Sequence, residues 1–250
     1  MSLRFQCTTS DNTHKETGAL FEGYLKDRGV VVTPTAEAVV CYGFPVGTRH
    51  KTINGIGTGG KIASLTAWKA AGVRTVPWFA AGTPIPVDFK FPALARQNHG
   101  FGGKDIVPVF QAIEVPWRIA AGFDWFSSYV PLDTEYRAWV FRGEVLDTYE
   151  KVMCRPTEYK YVAGRNFRQG FEFQHVPTPK DVEAEVVAAL RTIKYDFGAV
   201  DALRGVDGKI YILECNSAPG ALRSKAHSTI AKFADRIAEW DKAGHPGFTF

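Results

Sequence analysis

Apolar residues recur along this chain at two periods, and the changes between them divide it into helices and strands. Helical spacing predicts a helix from Thr13 to Arg28, where Ala19, Leu20, Tyr24 and Leu25 share one face and Gly29 ends the run. A second helix is predicted over Lys61–Ala71, and a third over Gln111–Gly122 in spite of Pro116. Val182, Val186, Ala189, Leu190 and Ile193 mark a fourth over Asp181–Lys194, and Ile230, Phe233, Ile237 and Trp240 mark a closing one over Ser224–Ala243. Met1–Asp11 reads as an edge strand, Val30–Val32 and Ala38–Tyr42 as short buried strands, and Gly72–Pro77 as the strand after the second helix. Lys51–Gly60 holds four glycines without the GxxxxGK[S/T] order of a phosphate loop, and reads as a flexible approach to the helix at Lys61.

Three hairpins follow. A strand ending at Arg96 and another over Ile106–Phe110 enclose a glycine-rich tip. Leu132–Lys151 turns at Arg142-Gly143, with Glu135, Arg137, Trp139 and Phe141 on one face and Tyr136, Ala138 and Val140 on the other. Phe197–Leu203 and Lys209–Leu213 turn across Gly205-Val-Asp-Gly208. The expected fold class is mixed α/β (α+β), opening with a small α/β unit.

Composition narrows the class. The chain has 250 residues, 45% of them apolar, which is enough for one large domain or two small ones that share a cleft. Its net charge of +4 is mild and the basic residues are scattered, so neither nucleic-acid nor membrane binding follows, whereas a polyanionic small ligand fits. Cys7, Cys41, Cys154 and Cys215 lie far apart, without CxxC or zinc spacing, and read as free thiols. With no secretory signal pattern and no apolar run long enough for a bilayer, the expected compartment is the cytoplasm. The oligomeric state is left open.

Two stretches carry candidate chemistry. In the last hairpin, antiparallel pairing brings Asp201 close to Glu214 and Asn216, three oxygen donors with two formal charges, a set that suits Mg²⁺ and leaves sites for substrate phosphates. In the first hairpin, Gly100, Gly102 and Gly103 let backbone N–H groups approach a phosphate, and Arg96 and Lys104 add positive charge beside them. Arg137, on the buried side of its strand, requires an anionic partner.

Leu213-Glu-Cys-Asn-Ser-Ala-Pro-Gly-Ala-Leu222, preceded by Asp196-Phe-Gly-Ala-Val-Asp201, resembles the metal-binding end of the ATP-grasp ligases, the superfamily of D-alanine:D-alanine ligase, glutathione synthetase and the glutamate ligases that modify a ribosomal protein. The resemblance implies an ATP-grasp fold with a short N-terminal α/β unit (1–75), a small subdomain with the glycine-rich loop (76–130) and a C-terminal subdomain with the metal site (131–250). It implies ATP and Mg²⁺ as cofactors, with Asp201, Glu214 and Asn216 as metal ligands and Arg96, Gly100, Gly102, Gly103 and Lys104 at the phosphates. The adenosine contacts fall on Ser128 and Tyr129, with Ser127 and Ser128 standing where the family often has acids.

"Glu-Tyr-Arg" at Glu135–Arg137 and the later Lys151 match a recurrent signature, which puts Arg137 and Lys151 near the reacting phosphoryl group. Arg165, Asn166, Ser217 and Gly220 fall to the substrate. The family's arginine two residues before the aspartate is replaced by Ala199. The implied activity is ADP-forming ligation of a small-molecule or peptide carboxylate to an amine through an acyl phosphate. A small-molecule kinase and a non-catalytic nucleotide-binding or interaction protein are the alternatives.

Overall fold

The structure is a computed structural model, and it describes residues 2–8, 12–36, 38–43, 52–54, 57–58, 60–98, 106–154, 170–220 and 227–245. Its N-terminal part is β1 (Ser2–Cys7), α1 (Asn12–Asp27), β2 (Val31–Val32), β3 (Ala38–Tyr42) and β4 (Thr52–Ile53). The four strands form a parallel sheet in the order β2-β1-β3-β4. β1 is thus an interior strand and not an edge: the crossover through α1 lays β2 on one side of it, and β3 returns on the other. β3 is fully buried as expected, but Val31 of β2 is exposed, because β2 is the strand that ends the sheet. Part of Lys51–Gly60 is also better ordered than the glycines suggest, since it contains β4 and the fully buried Asn54.

α2 (Lys61–Ala70) leads to a second sheet of β5 (Trp78–Ala80), β6 (Ala93–Arg96), β7 (Val107–Val109) and β8 (Trp125–Ser128), with α3 (Val115–Ala120) between β7 and β8. The order is β5-β8-β6-β7, all antiparallel, and β6 and β7 form the predicted hairpin. The predicted strand Gly72–Pro77 is absent; Thr75 alone makes a bridge, to Ile212, and pairing begins at Trp78. Pro116 sits in the first turn of α3, where a missing N–H costs no helical bond, and a 3₁₀ turn over Ala112–Glu114 takes the preceding residues.

The third sheet is the largest: β9 (Leu132–Phe141), β10 (Glu144–Met153), β11 (Phe171–Val176), β12 (Phe197–Gly205) and β13 (Ile210–Asn216), in the antiparallel order β11-β10-β9-β12-β13. α4 (Lys180–Thr192) precedes β12 and α5 (His227–Lys242) follows β13. Arg142 and Gly143 both have positive φ, 47° and 86°, the conformation of a two-residue hairpin turn whose twist matches its strands. Alternation along β9 sorts its side chains as the sequence implies. Tyr136, Ala138 and Val140 pack with Val182, Val186 and Leu190 of α4 and Trp68 of α2. Trp139 and Phe141 face the other way, into a core shared with Phe21 and Leu25 of α1, Val40 of β3, and Phe233 and Ile237 of α5. The N-terminal sheet and the large sheet therefore bury one common core. The second sheet has its own core around Phe79, Phe89 and Phe126. Among the described residues no helix is long and apolar enough to cross a membrane.

A polar joint fixes α5 to β10. The buried Asp147 carboxylate accepts hydrogen bonds from Thr229 Oγ1 and Lys232 Nζ, both at 2.7 Å, and lies 2.9 Å from His175 Nε2. Burial pushes its pKa up, but Lys232, Thr229 and His175 outweigh that and hold it below the usual carboxylate range. A depressed carboxyl contributes stability fully above its unfolded pKa, about 4, and loses it as pH falls through the lower folded value. Asp147→Asn is expected to cost about 2 kcal/mol at neutral pH and to flatten the acid limb of stability. Urea unfolding at neutral pH and near pH 3 measures both; parallel losses in native and variant chains would show that the joint is not ionic.

Candidate active site

The large sheet places a row of functional side chains on one face. Register pairs Arg137 on β9 with Asp201 on β12, and Asp201 with Glu214 on β13, so the three lie side by side across the sheet. Asn216, two residues after Glu214, keeps to the same face. A Cβ at Gly198 would stand 2.8 Å from the Asn216 carbonyl oxygen and 3.2 Å from Cys215 Sγ, so the glycine of Phe197-Gly-Ala is what lets β13 approach β12 here.

Asp201 receives the buried arginine. Arg137 donates Nε to Oδ1 at 2.7 Å and Nη2 to Oδ2 at 2.8 Å, a bidentate pair, and Lys151 Nζ lies 3.2 Å from the same Oδ2. Lys151 also makes a short ion pair with Glu135, and the Phe173 ring lies against both cations, 5.0 Å from the Arg137 guanidinium and 5.8 Å from the Lys151 ammonium. Burial alone would raise the pKa of Asp201, yet Arg137 and Lys151 hold it well below the carboxylate range. Burial likewise opposes the charges of Arg137 and Lys151, and their carboxylate neighbours more than offset it, so both stay protonated.

Glu214 and Asn216 are more open. Asn216 Nδ2 donates to Glu214 Oε1 at 2.9 Å, and Lys61 Nζ lies 3.3 Å from Glu214 Oε2. Burial raises the Glu214 pKa, but the Lys61 charge, with help from Asn216 and Arg137, brings it below the usual value. Arg96 approaches from the second sheet: its Nε donates to Ser127 Oγ at 3.1 Å and its guanidinium lies 5.2 Å from the Trp125 ring. Burial lowers its pKa, against which the charges of Glu214 and Glu135 act. Cys215, between Glu214 and Asn216, has its thiol pKa driven strongly upward by burial and then by Asp201 and Glu214, so it stays protonated at neutral pH.

The structure thus gathers Arg96, Arg137, Lys151, Asp201, Glu214 and Asn216 in one region. Lys61 and Glu135 belong with them and carry no site role in the reading of the sequence. Lys61 does carry a signal, because a lysine in the first turn of a helix opposes the helix dipole and calls for an anion. Glu135 shares the period-two face of Arg137. Ser217 Oγ donates to the Gly43 carbonyl at 2.6 Å and Tyr42 OH to that of Pro219 at 2.6 Å, so the loop from Ser217 to Gly220 is tied to the end of β3. The Ser128 and Tyr129 N–H groups donate to the Pro77 and Pro92 carbonyls, and the buried Ser128 Oγ has no partner among the described residues. Gly100, Gly102, Gly103, Lys104, Arg165 and Asn166 lie outside the described residues. Among those described, no group of three or more His, Cys, Asp or Glu side chains forms a metal cage.

Arg96 of the second sheet thus lies near the carboxylates of the large sheet, which Arg137 and Lys151 contact directly. No protein-family model matches the sequence, and no curated protein sequence does either. Solved structures do. A D-alanine–D-alanine ligase from Bacillus anthracis superposes with a TM-score of 0.67 at 14% identity, covering 96% of this chain and 99% of that one. The ATP-grasp ligase PsnB, complexed with a phosphomimetic variant of its minimal precursor, Mg and ADP, gives 0.64 at 12% identity, over 95% and 98%. The D-cycloserine synthetase DcsG gives 0.65 at 16%, over 96% and 99%. The chain has the ATP-grasp fold, as the resemblance in the sequence implied.

Proposed function

We propose that this chain is an ATP-dependent, ADP-forming ligase that joins a carboxylate to an amine. The observation that supports the reading is the convergence of Lys61, Arg96, Arg137 and Lys151 on Glu135, Asp201 and Glu214, which leaves one net positive charge on buried and half-buried side chains from α2 and both sheets. A polyphosphate is the ligand such a site suits. The similarity to ligases crystallised with ATP, or with Mg and ADP, agrees with it. Precursor peptides and small molecules are the substrate classes those neighbours suggest.

Glu214 and Asn216 fit a hard cation: they are adjacent oxygen-bearing side chains on one face, only partly buried. Asp201, directly opposite Glu214, is the third donor, and the partners it now holds are the two cations assigned to the phosphates. Bound there, Mg²⁺ would supply charge neutralisation to the phosphate oxygens. The chain's own residues do the rest. Arg96 and Lys61 hold the phosphate chain, while Arg137 and Lys151 steady the transferred phosphoryl group. Arg137 fills the role of the arginine missing at Ala199, which lies in the apolar core. The first substrate's carboxylate attacks the γ-phosphorus and ADP leaves; the amine then attacks the acyl carbon, phosphate leaves, and the nitrogen gives up a proton. Positioning supplies most of the rate, and no side-chain nucleophile is needed.

The test is calorimetric titration with ATP and Mg²⁺ of the native chain and of a Glu214→Gln, Asn216→Ala double variant. Binding by the native chain that the variant loses is the expected result, followed by a screen of acids and amines for ADP release. A folded native chain that binds no ATP would refute the reading; ATP binding with phosphoryl transfer to a hydroxyl and no amide product would favour a kinase.

A further inference from the structure

We infer that Glu135 is a positioning residue of this site, stationing the Lys151 ammonium beside the phosphoryl group, an inference that rests on the ligase reading above. Lys151 carries a point charge on a flexible four-carbon stem, and it is nearly buried against the Phe173 ring. A cation there requires a carboxylate within contact distance to stay in place. Two carboxylates meet that need, Asp201 and Glu135, and they are not equivalent. Asp201 gives both oxygens to Arg137 as well, and it stands opposite Glu214 in the row that faces the cation-binding side chains. Glu135 pairs in register with Leu203, one row away from Asp201 and Glu214, and is itself buried. When ligand binding draws Asp201 and Arg137 toward other partners, Glu135 is the anchor that keeps Lys151 at the site. It touches neither nucleotide nor metal in this role.

The experiment compares ATP and AMP affinity, by calorimetry with Mg²⁺, in the native chain, Glu135→Gln and Glu135→Asp. A residue that stations Lys151 acts on the terminal phosphates. Glu135→Gln should lose about tenfold in ATP affinity while AMP affinity changes by less than about twofold. Glu135→Asp, which keeps the charge on a stem one methylene too short to hold the ammonium in place, should recover part of the ATP affinity and leave the ATP-to-AMP ratio severalfold below the native one. Equal losses for ATP and AMP would make Glu135 a general structural residue and overturn the inference, as would unchanged ATP affinity. Should Glu135→Gln fail to fold, Glu135→Asp decides: an ATP-to-AMP ratio identical to the native one overturns the inference, and a ratio reduced severalfold supports it. A native chain without ATP affinity would overturn the ligase reading and this inference together, whereas native binding with an unaltered variant sinks the inference alone.

Discussion

Arg137→Met is expected to cost about 3–5 kcal/mol of folding stability, because it strips the bidentate partner from a buried carboxylate. The lower end is the better figure, since Lys151 still reaches Asp201 Oδ2 at 3.2 Å. For a chain of this size about 3 kcal/mol corresponds to a fall of roughly 6–12 °C in Tm. The same change should abolish ATP-dependent turnover, because the guanidinium assigned to the phosphoryl group is gone. A second variant separates the two effects. In Arg137→Met, Asp201→Leu no unpaired charge remains in the pair, and replacing a buried ion pair by apolar groups of similar volume is often neutral for stability. The double variant should therefore regain most of the lost Tm and none of the activity. If it melts as low as the single variant, the pair contributes packing that leucine and methionine cannot supply. If it retains turnover, Arg137 has no part in the chemistry.

The expectation that Arg137 needs a buried anion, and the pairing of Asp201 with Glu214, were both legible, and for one reason. Each depends on period-two geometry within a hairpin, which sequence spacing encodes directly. That Asp201 is the anion for Arg137 was not legible, because β9 and β12 are neighbours only through the sheet order β10-β9-β12, with β10, β11 and α4 intervening in the chain. The role of Lys61 was not legible for the same reason, its partner Glu214 lying at the far end of the chain. The interior position of β1 depends on where a helical crossover deposits the next strand, and a single alternating run carries no information about its flanks. β4 has two residues, too few for any period to register, and the glycines around it pointed to looseness.

That short strand leads to the second large effect. Asn54→Ala is expected to cost about 3–4 kcal/mol, although residue 54 lies just beyond a two-residue strand. Its side chain closes the joint between the N-terminal sheet and the start of β12: Oδ1 accepts from the N–H groups of Asp196 at 2.7 Å and Phe197 at 3.0 Å, and Nδ2 donates to the Phe197 carbonyl at 2.8 Å. Its own N–H donates to Asp196 Oδ2 at 2.7 Å, and Asp196 in turn accepts from Arg142 Nε at 3.2 Å. Alanine leaves backbone groups in a fully buried place without their amide partner. It also sits poorly at φ 54°, a left-handed conformation that asparagine tolerates and alanine does not. Asn54→Gly isolates that strain, since it loses the same side-chain bonds but accepts the backbone angle; it should be about 1 kcal/mol more stable than the alanine variant. Urea unfolding with a common m-value gives both differences. A loss below about 1 kcal/mol for alanine would mean that other groups take over the three bonds, and the joint would then be incidental to the way the N-terminal sheet is held against the β12–β13 hairpin that carries Asp201 and Glu214.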